Sequence, residues 1–413
     1  MATTRTILVI GTYDTKDDEL NYMCDCIRAQ GGTVISMDVS VLGDPTEQTD
    51  ISKHDVAAAA GKTIQDAIDA GDENLAMQIM AAGASKLTSD LYADHKIDGM
   101  VGLGGTMGTD LVLDCCQALP LGVPKYVVST VSFSPLIPAN RLSPDTQMIL
   151  WAGGLYGLNS VCKSSLSQAA GAVLGAAKAV EKPVRERPVI GMMSLGSSCL
   201  KYMKLLKEPL ETRGFEVAVF HATGMGGMAF EALARQSYFA AVLDLALPEL
   251  GNLMVGSAVN GGEDRLTNAG VNGTPQIVSP GCADLIDFPG WQEIPEKYTD
   301  RPFHAHNRLI KSSGLSPDER RELIRDISQR LDKAKSPVHF IMPLKGVEEW
   351  DQKDEPAYDP DGLEAMIDEV RKSINVPVTE VDAHINDQAF SDKVIEILDG
   401  WIADGTIKMQ VNG

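Results

Sequence analysis

Two glycine- and threonine-rich turns near the amino terminus carry the residue types that cradle phosphate. The first follows the apolar run Ile7–Ile10 and reads Gly11-Thr12-Tyr13-Asp14-Thr15-Lys16. The second follows Met100–Leu103 and reads Gly104-Gly105-Thr106-Met107-Gly108-Thr109-Asp110. An apolar strand that breaks into Gly and Thr and then opens a helix gathers backbone N–H groups at the helix start. Those donors, with the positive end of the helix dipole, make an anion site. In one doubly wound sheet, two such turns would line a single crevice at the carboxyl ends of the strands. The pattern points to a nucleotide or another phosphorylated ligand.

The first turn is not a Walker A loop, because Thr15 stands where that loop needs a glycine before its lysine. Its cradle would be shorter, with Gly11, Thr12 and Thr15 as donors and Lys16 as a point charge. Asp14 suits a water-mediated hold on Mg²⁺. The plainer alternative is a strand-to-helix turn with Asp14 or Thr15 as N-cap. In the second turn Gly104, Gly105 and Gly108, with Thr106 and Thr109, permit close backbone approach to a ligand, whereas a tight corner needs only one glycine. Asp110 would be a dipole partner or an outer metal contact.

Further along, His221-Ala222-Thr223-Gly224-Met225-Gly226-Gly227 repeats the theme. Gly224, Gly226 and Gly227 suit a small anion, and His221 would donate or shuttle a proton, or be merely structural. Cys199 opens a helix, where the dipole would activate a thiol, although Cys is also simply a small buried residue. His304 and His306, two apart, share one face of a strand. With His384 and Asp387 they would offer three nitrogens and an oxygen to a transition metal; hydrogen-bonded polar residues under a loop are the alternative. Arg301 suits bidentate binding of a carboxylate or phosphate. The acidic stretch from Glu348 to Asp361 reads as a solvated loop and helix start with no chemistry.

These residues need a scaffold, and the chain supplies an alternation of short apolar runs and helical patterns, the mark of βαβ units. Strands are expected near Ile7, Thr33, Gly99, Lys125 and Met148, with helices over Asp18–Ala29, Asn74–Ala93 and Thr109–Leu119. The charged, proline-bearing stretch 181–188 reads as an exposed linker. It separates a nucleotide-binding domain over 1–182 from a second domain over 188–413. Strands of the second domain are expected at Val189–Met193, Phe215–Phe220, Ala240–Leu245, Gln276–Ser279, Val338–Met342 and Val378–Asp382. Gly122–Ser129 and Asn272–Ser279 share pattern and ending, so the halves look related. The stretch 280–316 has little periodicity and reads as a long functional loop. The expected class is α/β: two Rossmann-like, doubly wound domains with mainly parallel sheets and a cleft between them.

Composition bounds the partners. The chain has 413 residues, 44% hydrophobic, enough for two or three domains. Lys and Arg total 36 against 57 Asp and Glu, a formal charge of −21, which disfavours nucleic acid as a partner. An acidic phosphate binder must rely on backbone donors, a few local cations and a divalent metal. Seven cysteines without a C-x-x-C pair read as reduced thiols of a cytoplasmic protein. The small-residue helix near 158–180 carries Lys163, Gln168 and Lys178, so it is no membrane span. It reads as a close-packed helix or a subunit contact.

Taken together, the early G-T-x-D-T-K and G-L-G-G-T-x-G-T turns, F-H-A-T-G-x-G-G, V-S-P-G, F-H-x-H-N and H-I-N-D resemble the Tm-1-like ATP-binding family. The similarity runs over essentially the whole chain. It implies two Rossmann-like domains, bound ATP and a homodimer, without supplying a reaction. The expected function is ATP-Mg²⁺ binding, with phosphoryl transfer or hydrolysis on a small metabolite if ATP is consumed, and a second small-molecule ligand. One alternative is a metal-assisted hydrolase or lyase of a small carboxylated or phosphorylated metabolite, using His304, His306 and His384. Another is a non-catalytic, ATP-stabilised module that binds a partner protein.

Overall fold

The computed structural model describes residues 4–181, 186–301, 303–305 and 307–409, so His306 and part of the expected linker lie outside the described residues. The chain divides into two compact units, 1–183 and 184–413.

The strands of the first unit are β1 (Thr6–Gly11), β2 (Thr33–Asp38), β3 (Gly99–Gly104), β4 (Lys125–Ser129) and β5 (Thr146–Leu150). They form one parallel sheet in the order β2-β1-β3-β4-β5. The chain therefore reverses direction across the sheet between β1 and β3. The helices are α1 (Tyr13–Ala29), α2 (Lys53–Ala59), α3 (Ile64–Ile68), α4 (Glu73–Ala93), α5 (Thr106–Gln117) and α6 (Ser160–Ala179). Alternation along β1 sorts them into two layers. Ile7 and Val9 pack with Leu20, Met23 and Ile27 of α1 and Leu166, Ala170 and Val173 of α6. Leu8 and Ile10 pack with Val56, Met80 and Val112, from the helices on the opposite face. The small-residue face of α6 is thus used inside the chain, against α1. Gly83 of α4 lies so close to α2 that an added Cβ would collide with the Val56 carbonyl oxygen.

The second unit repeats the design. Its strands begin with β6 (Val189–Ser194), β7 (Glu216–His221), β8 (Ala241–Asp244) and β9 (Gln276–Val278). Next come β10 (Leu285–Pro289), β11 (His304–Ala305), β12 (Ile310–Gly314), β13 (Val338–Pro343) and β14 (Val378–Val381). The helices are α7 (Leu200–Thr212), α8 (Met225–Arg235), α9 (Pro248–Met254), α10 (Asn268–Val271), α11 (Pro317–Leu331), α12 (Pro360–Ser373) and α13 (Gln388–Ala403). The large sheet is parallel, in the order β14-β13-β9-β8-β6-β7. Here the reversal falls between β6 and β8. The repeated segments ending at Ser129 and Ser279 form β4 and β9, the fourth strand of each unit. The stretch 280–316 is not a bare loop: it contributes a small antiparallel sheet, β10-β12-β11. Its short strands escaped notice because their burial comes from α9 and α11 rather than from an alternating pattern.

A buried ionic network fastens the second unit. Arg265 is fully buried and donates to both oxygens of Asp244, to Glu249 Oε2 at 2.7 Å and to Glu231 at 3.5 Å. Three carboxylates share one guanidinium, and burial pushes the Glu231 carboxyl up to about 7. The other oxygen of Glu249 accepts from the amides of Gly224 at 2.6 Å and Gly227 at 3.1 Å, so it caps α8 from within. Glu249→Ala should cost about 3–5 kcal/mol by leaving Arg265 Nε and two amides without an acceptor. Sodium acetate should restore part of that loss in urea unfolding, whereas sodium chloride at equal ionic strength should not. Equal effects of the two salts would contradict an internal anion at α8.

Candidate functional site

Both amino-terminal turns open on one cavity of about 660 Å³ at the carboxyl ends of β1 and β3, where the strand order reverses. Open α/β sheets hold their ligands at such a switch point. Thr12, Asp14, Thr15 and Lys16 line it from the first turn, and Gly104, Gly105, Thr106, Met107 and Gly108 from the second. Two expected residues serve the framework instead. Gly11 makes room for the Leu20 side chain, and the Thr109 hydroxyl turns inward to Ser129 Oγ at 2.6 Å. Asp110 pairs with Arg141 at 2.6 Å.

The two turns do different work. At α1 the backbone donors are already used: Tyr13 N donates to Asp38 Oδ1 at 3.2 Å and Asp14 N to Ser40 Oγ at 3.0 Å. Thr15 N and Lys16 N both donate to Thr12 O. This turn therefore offers side chains rather than a backbone cradle. Lys16 leaves helical geometry (φ −138°, ψ 25°), and its Nζ reaches Thr15 Oγ1 at 3.2 Å without an ion pair among the described residues. Asp14 is tied down, accepting from Gly43 N at 3.2 Å and Thr15 Oγ1 at 3.1 Å. Lys53 holds the same loop through Gly43 O at 2.7 Å.

At α5 the opposite holds. Gly105 is the N-cap and offers no side chain, and the first capping bond is Thr109 N to Gly105 O at 2.9 Å. The amides of Thr106, Met107 and Gly108 precede it and have no protein acceptor among the described residues. A Cβ on Gly104 would lie 2.6 Å from Thr109 N, so this glycine is needed for the turn itself. A Cβ on Gly105 would point into open space, its nearest neighbour Thr130 Oγ1 at 3.9 Å. The rest of the cavity is largely apolar, formed by Val41, Leu42, Ala67, Ile68, Ala76 and Met77. Leu42 is 77% exposed and Tyr156 95% exposed, large apolar surfaces at its mouth. Three carboxylates, Asp14, Asp72 and Glu73, line the cavity together with Lys16.

The second-unit candidates are engaged internally. Gly224, Gly226 and Gly227 do form an anion nest, but its anion is the chain's own Glu249, and a Cβ on Gly227 would collide with that carboxylate. The turn also follows the outer strand β7 rather than the switch point. His221 accepts from Gly196 N at Nδ1, 3.3 Å away. Cys199 is buried at the start of α7, with its sulfur 3.3 Å from Cys282 Sγ. His384 donates from Nε2 to Glu348 O at 2.9 Å, lies 3.1 Å from Asp351 Oδ1, and accepts at Nδ1 from Asn386 N. The His304 ring packs edge-on to Trp350 at 5.4 Å. Among the described residues no three His, Cys, Asp or Glu side chains are placed to hold a metal ion. Arg301 donates to Glu319 at 2.7 Å and to Gly314 O.

One reading is overturned: Glu348, expected in a solvated acidic loop, is fully buried. Sequence reasoning also passed over Asp38, Glu249 and Asp284, all buried carboxylates. A signal existed, since Glu249 interrupts Leu245-Ala246-Leu247-Pro248 and Leu250, and Asp284 sits between Ala283 and Leu285-Ile286. A lone acid in an apolar run is an acid with a buried task.

Among the described residues no helix is long and apolar enough to cross a membrane. Residues 5–182 match the N-terminal domain, and 187–402 the C-terminal domain, of the Uncharacterised protein family (UPF0261). A UPF0261 protein of Brucella melitensis is 53% identical over 403 residues, covering 97% of this chain and 96% of that protein. One from Clostridium tetani is 33% identical over 389 residues, 93% of this chain and 96% of its own length. The ToMV resistance protein Tm-1(GCR237) of Solanum lycopersicum is 27% identical over 94% of this chain and 55% of its own length. With both halves matched in order and a relative above half identity along its length, the chain belongs to the UPF0261 family.

Proposed function

We propose that the first unit binds ATP as its magnesium complex, in the cavity between the turns that follow β1 and β3. The observation that carries this reading is the convergence of both turns on one cavity at the strand switch point. The phosphates would lie against the open amides of Thr106, Met107 and Gly108, with Lys16 and the hydroxyls of Thr12 and Thr15 on the other side. The base would lie against Val41, Leu42, Ile68 and Met77. The resemblance of the two turns to the Tm-1-like ATP-binding family favours ATP among polyphosphates.

Magnesium follows from the charges. A polyphosphate entering a cavity with three carboxylates and one ammonium meets net repulsion unless a cation enters with it. Mg²⁺ keeps much of its water and takes few protein ligands, so it needs no preformed cluster here. Asp14, Asp72 and Glu73 would hold it through water.

Lys16→Ala and Gly105→Val should each weaken ATP binding at least about tenfold by calorimetry, the first by removing a charge contact and the second by filling the nest. Unchanged affinity in both variants would reject the site. Wild-type protein in excess EDTA should bind ATP more weakly than in Mg²⁺. Tighter binding without the metal would show that the carboxylates do not act through a cation.

A further inference from the structure

The carboxyl ends of β9, β13 and β14 bring together buried oxygens that no donor reaches. Asp284 Oδ1 and Oδ2, Glu348 Oε1, Asn386 Oδ1 and Ser279 Oγ account for five of the eleven buried unpartnered side-chain atoms among the described residues. Three of the five are carboxyl oxygens, which only accept when ionised, and no donor reaches them. Each has essentially no surface that a water-sized sphere can touch, so neither water nor a cation fits beside it in this conformation. A donor small enough is a proton carried by one of the acids. We propose that Glu348 is a neutral carboxylic acid in the folded protein.

The surrounding bonds say which acid is ionised. Asp351 takes the available donors, accepting from the amides of Val347 and Glu348 at Oδ2 and facing His384 Nε2 at Oδ1. Glu348 accepts only from Trp350 N, at 2.8 Å, and Asp284 from nothing. Asp284 instead feels the field of Arg320, whose guanidinium donates to Asp359 at 2.9 Å and Leu315 O at 3.0 Å. On the remaining side lie the thiols of Cys199 and Cys282. Cys282 has a left-handed backbone (φ 54°), which marks this turn as held by its surroundings. Burial, with the negative charge of Asp284 and Asp351, pushes the Glu348 carboxyl up to about 10, and burial moves Asp284 up to about 7.

Leu285 and Trp350, sequence neighbours of the two acids, line a second cavity of about 440 Å³ together with the ion-paired Arg320 and Asp359.

Infrared spectroscopy of the full chain at about pH 8.5, above the Asp284 range and below that of Glu348, tests the proton directly. The carbonyl band of a protonated carboxylic acid is expected, moving on heavy-carbon labelling of glutamate and lost in Glu348→Gln. Its absence from the wild-type spectrum would overturn the assignment, whatever the variants do. A band that moves with labelled aspartate, or survives in folded Glu348→Gln, would also overturn it. Unfolding at that pH should release about one proton more from the wild type than from the variant. Equal release from the two would count against Glu348.

Discussion

A helix that begins at the carboxyl end of a parallel strand presents amides that need an acceptor, and this protein is organised by how each start is satisfied. At α1 the acceptors are Asp38 and Ser40, from the end of the neighbouring strand. At α8 the acceptor is Glu249, carried on the segment after β8. At α4 it is the N-cap Asp72. At α5 the N-cap is a glycine with no side chain to accept, and the amides face a cavity. The same physical demand thus yields structure where the chain answers it and open amides on a cavity where it does not.

Much of the fold was legible because period and punctuation are local. Strands β1, β3, β4, β6 and β9 fall where apolar runs end in Gly or Ser. The turns at Gly11 and Gly104 were placed correctly on the strand ends that meet in one cavity. What sequence could not show was which nest is already full. Tyr13 and Asp38 are 25 residues apart, as are Gly224 and Glu249, so the filling of each depends on strand order. Glu348 shows the same limit from the other side. Flanked by Glu349 and Asp351 it looks solvated, yet the loop after β13 turns it inward while Glu349 reaches out to Lys201. The antiparallel strands of 280–316 are hard to read from sequence because β11 spans only two residues and β12, Ile310–Gly314, has a single large apolar side chain.

The second unit spends its acids differently from the first. Asp244, Glu231 and Glu249 surround Arg265 in a site with no exposure, where removing one partner costs more than the intact set contributes. Such a network fixes the geometry of β8, α8 and α9 more than it adds net stability. It also explains how a glycine-rich turn can look like a ligand site and be part of the framework. Function in this unit is better sought where buried polar groups are left incomplete, at the ends of β9, β13 and β14.

The contact of Gly83 with Val56 has a bearing on how the first cavity would accommodate the proposed guest. Main chain against main chain leaves no rotamers to adjust, so α2 and α4 behave as one stiff slab beneath the apolar wall. Any accommodation of a guest's contour must then come from the linings themselves. Met77 and Met107 are the pliable members of that set, unbranched and polarisable. A lining of that kind would tolerate variation in outline, so under the proposed reading discrimination among related guests would fall to the rigid polar end rather than to the greasy one.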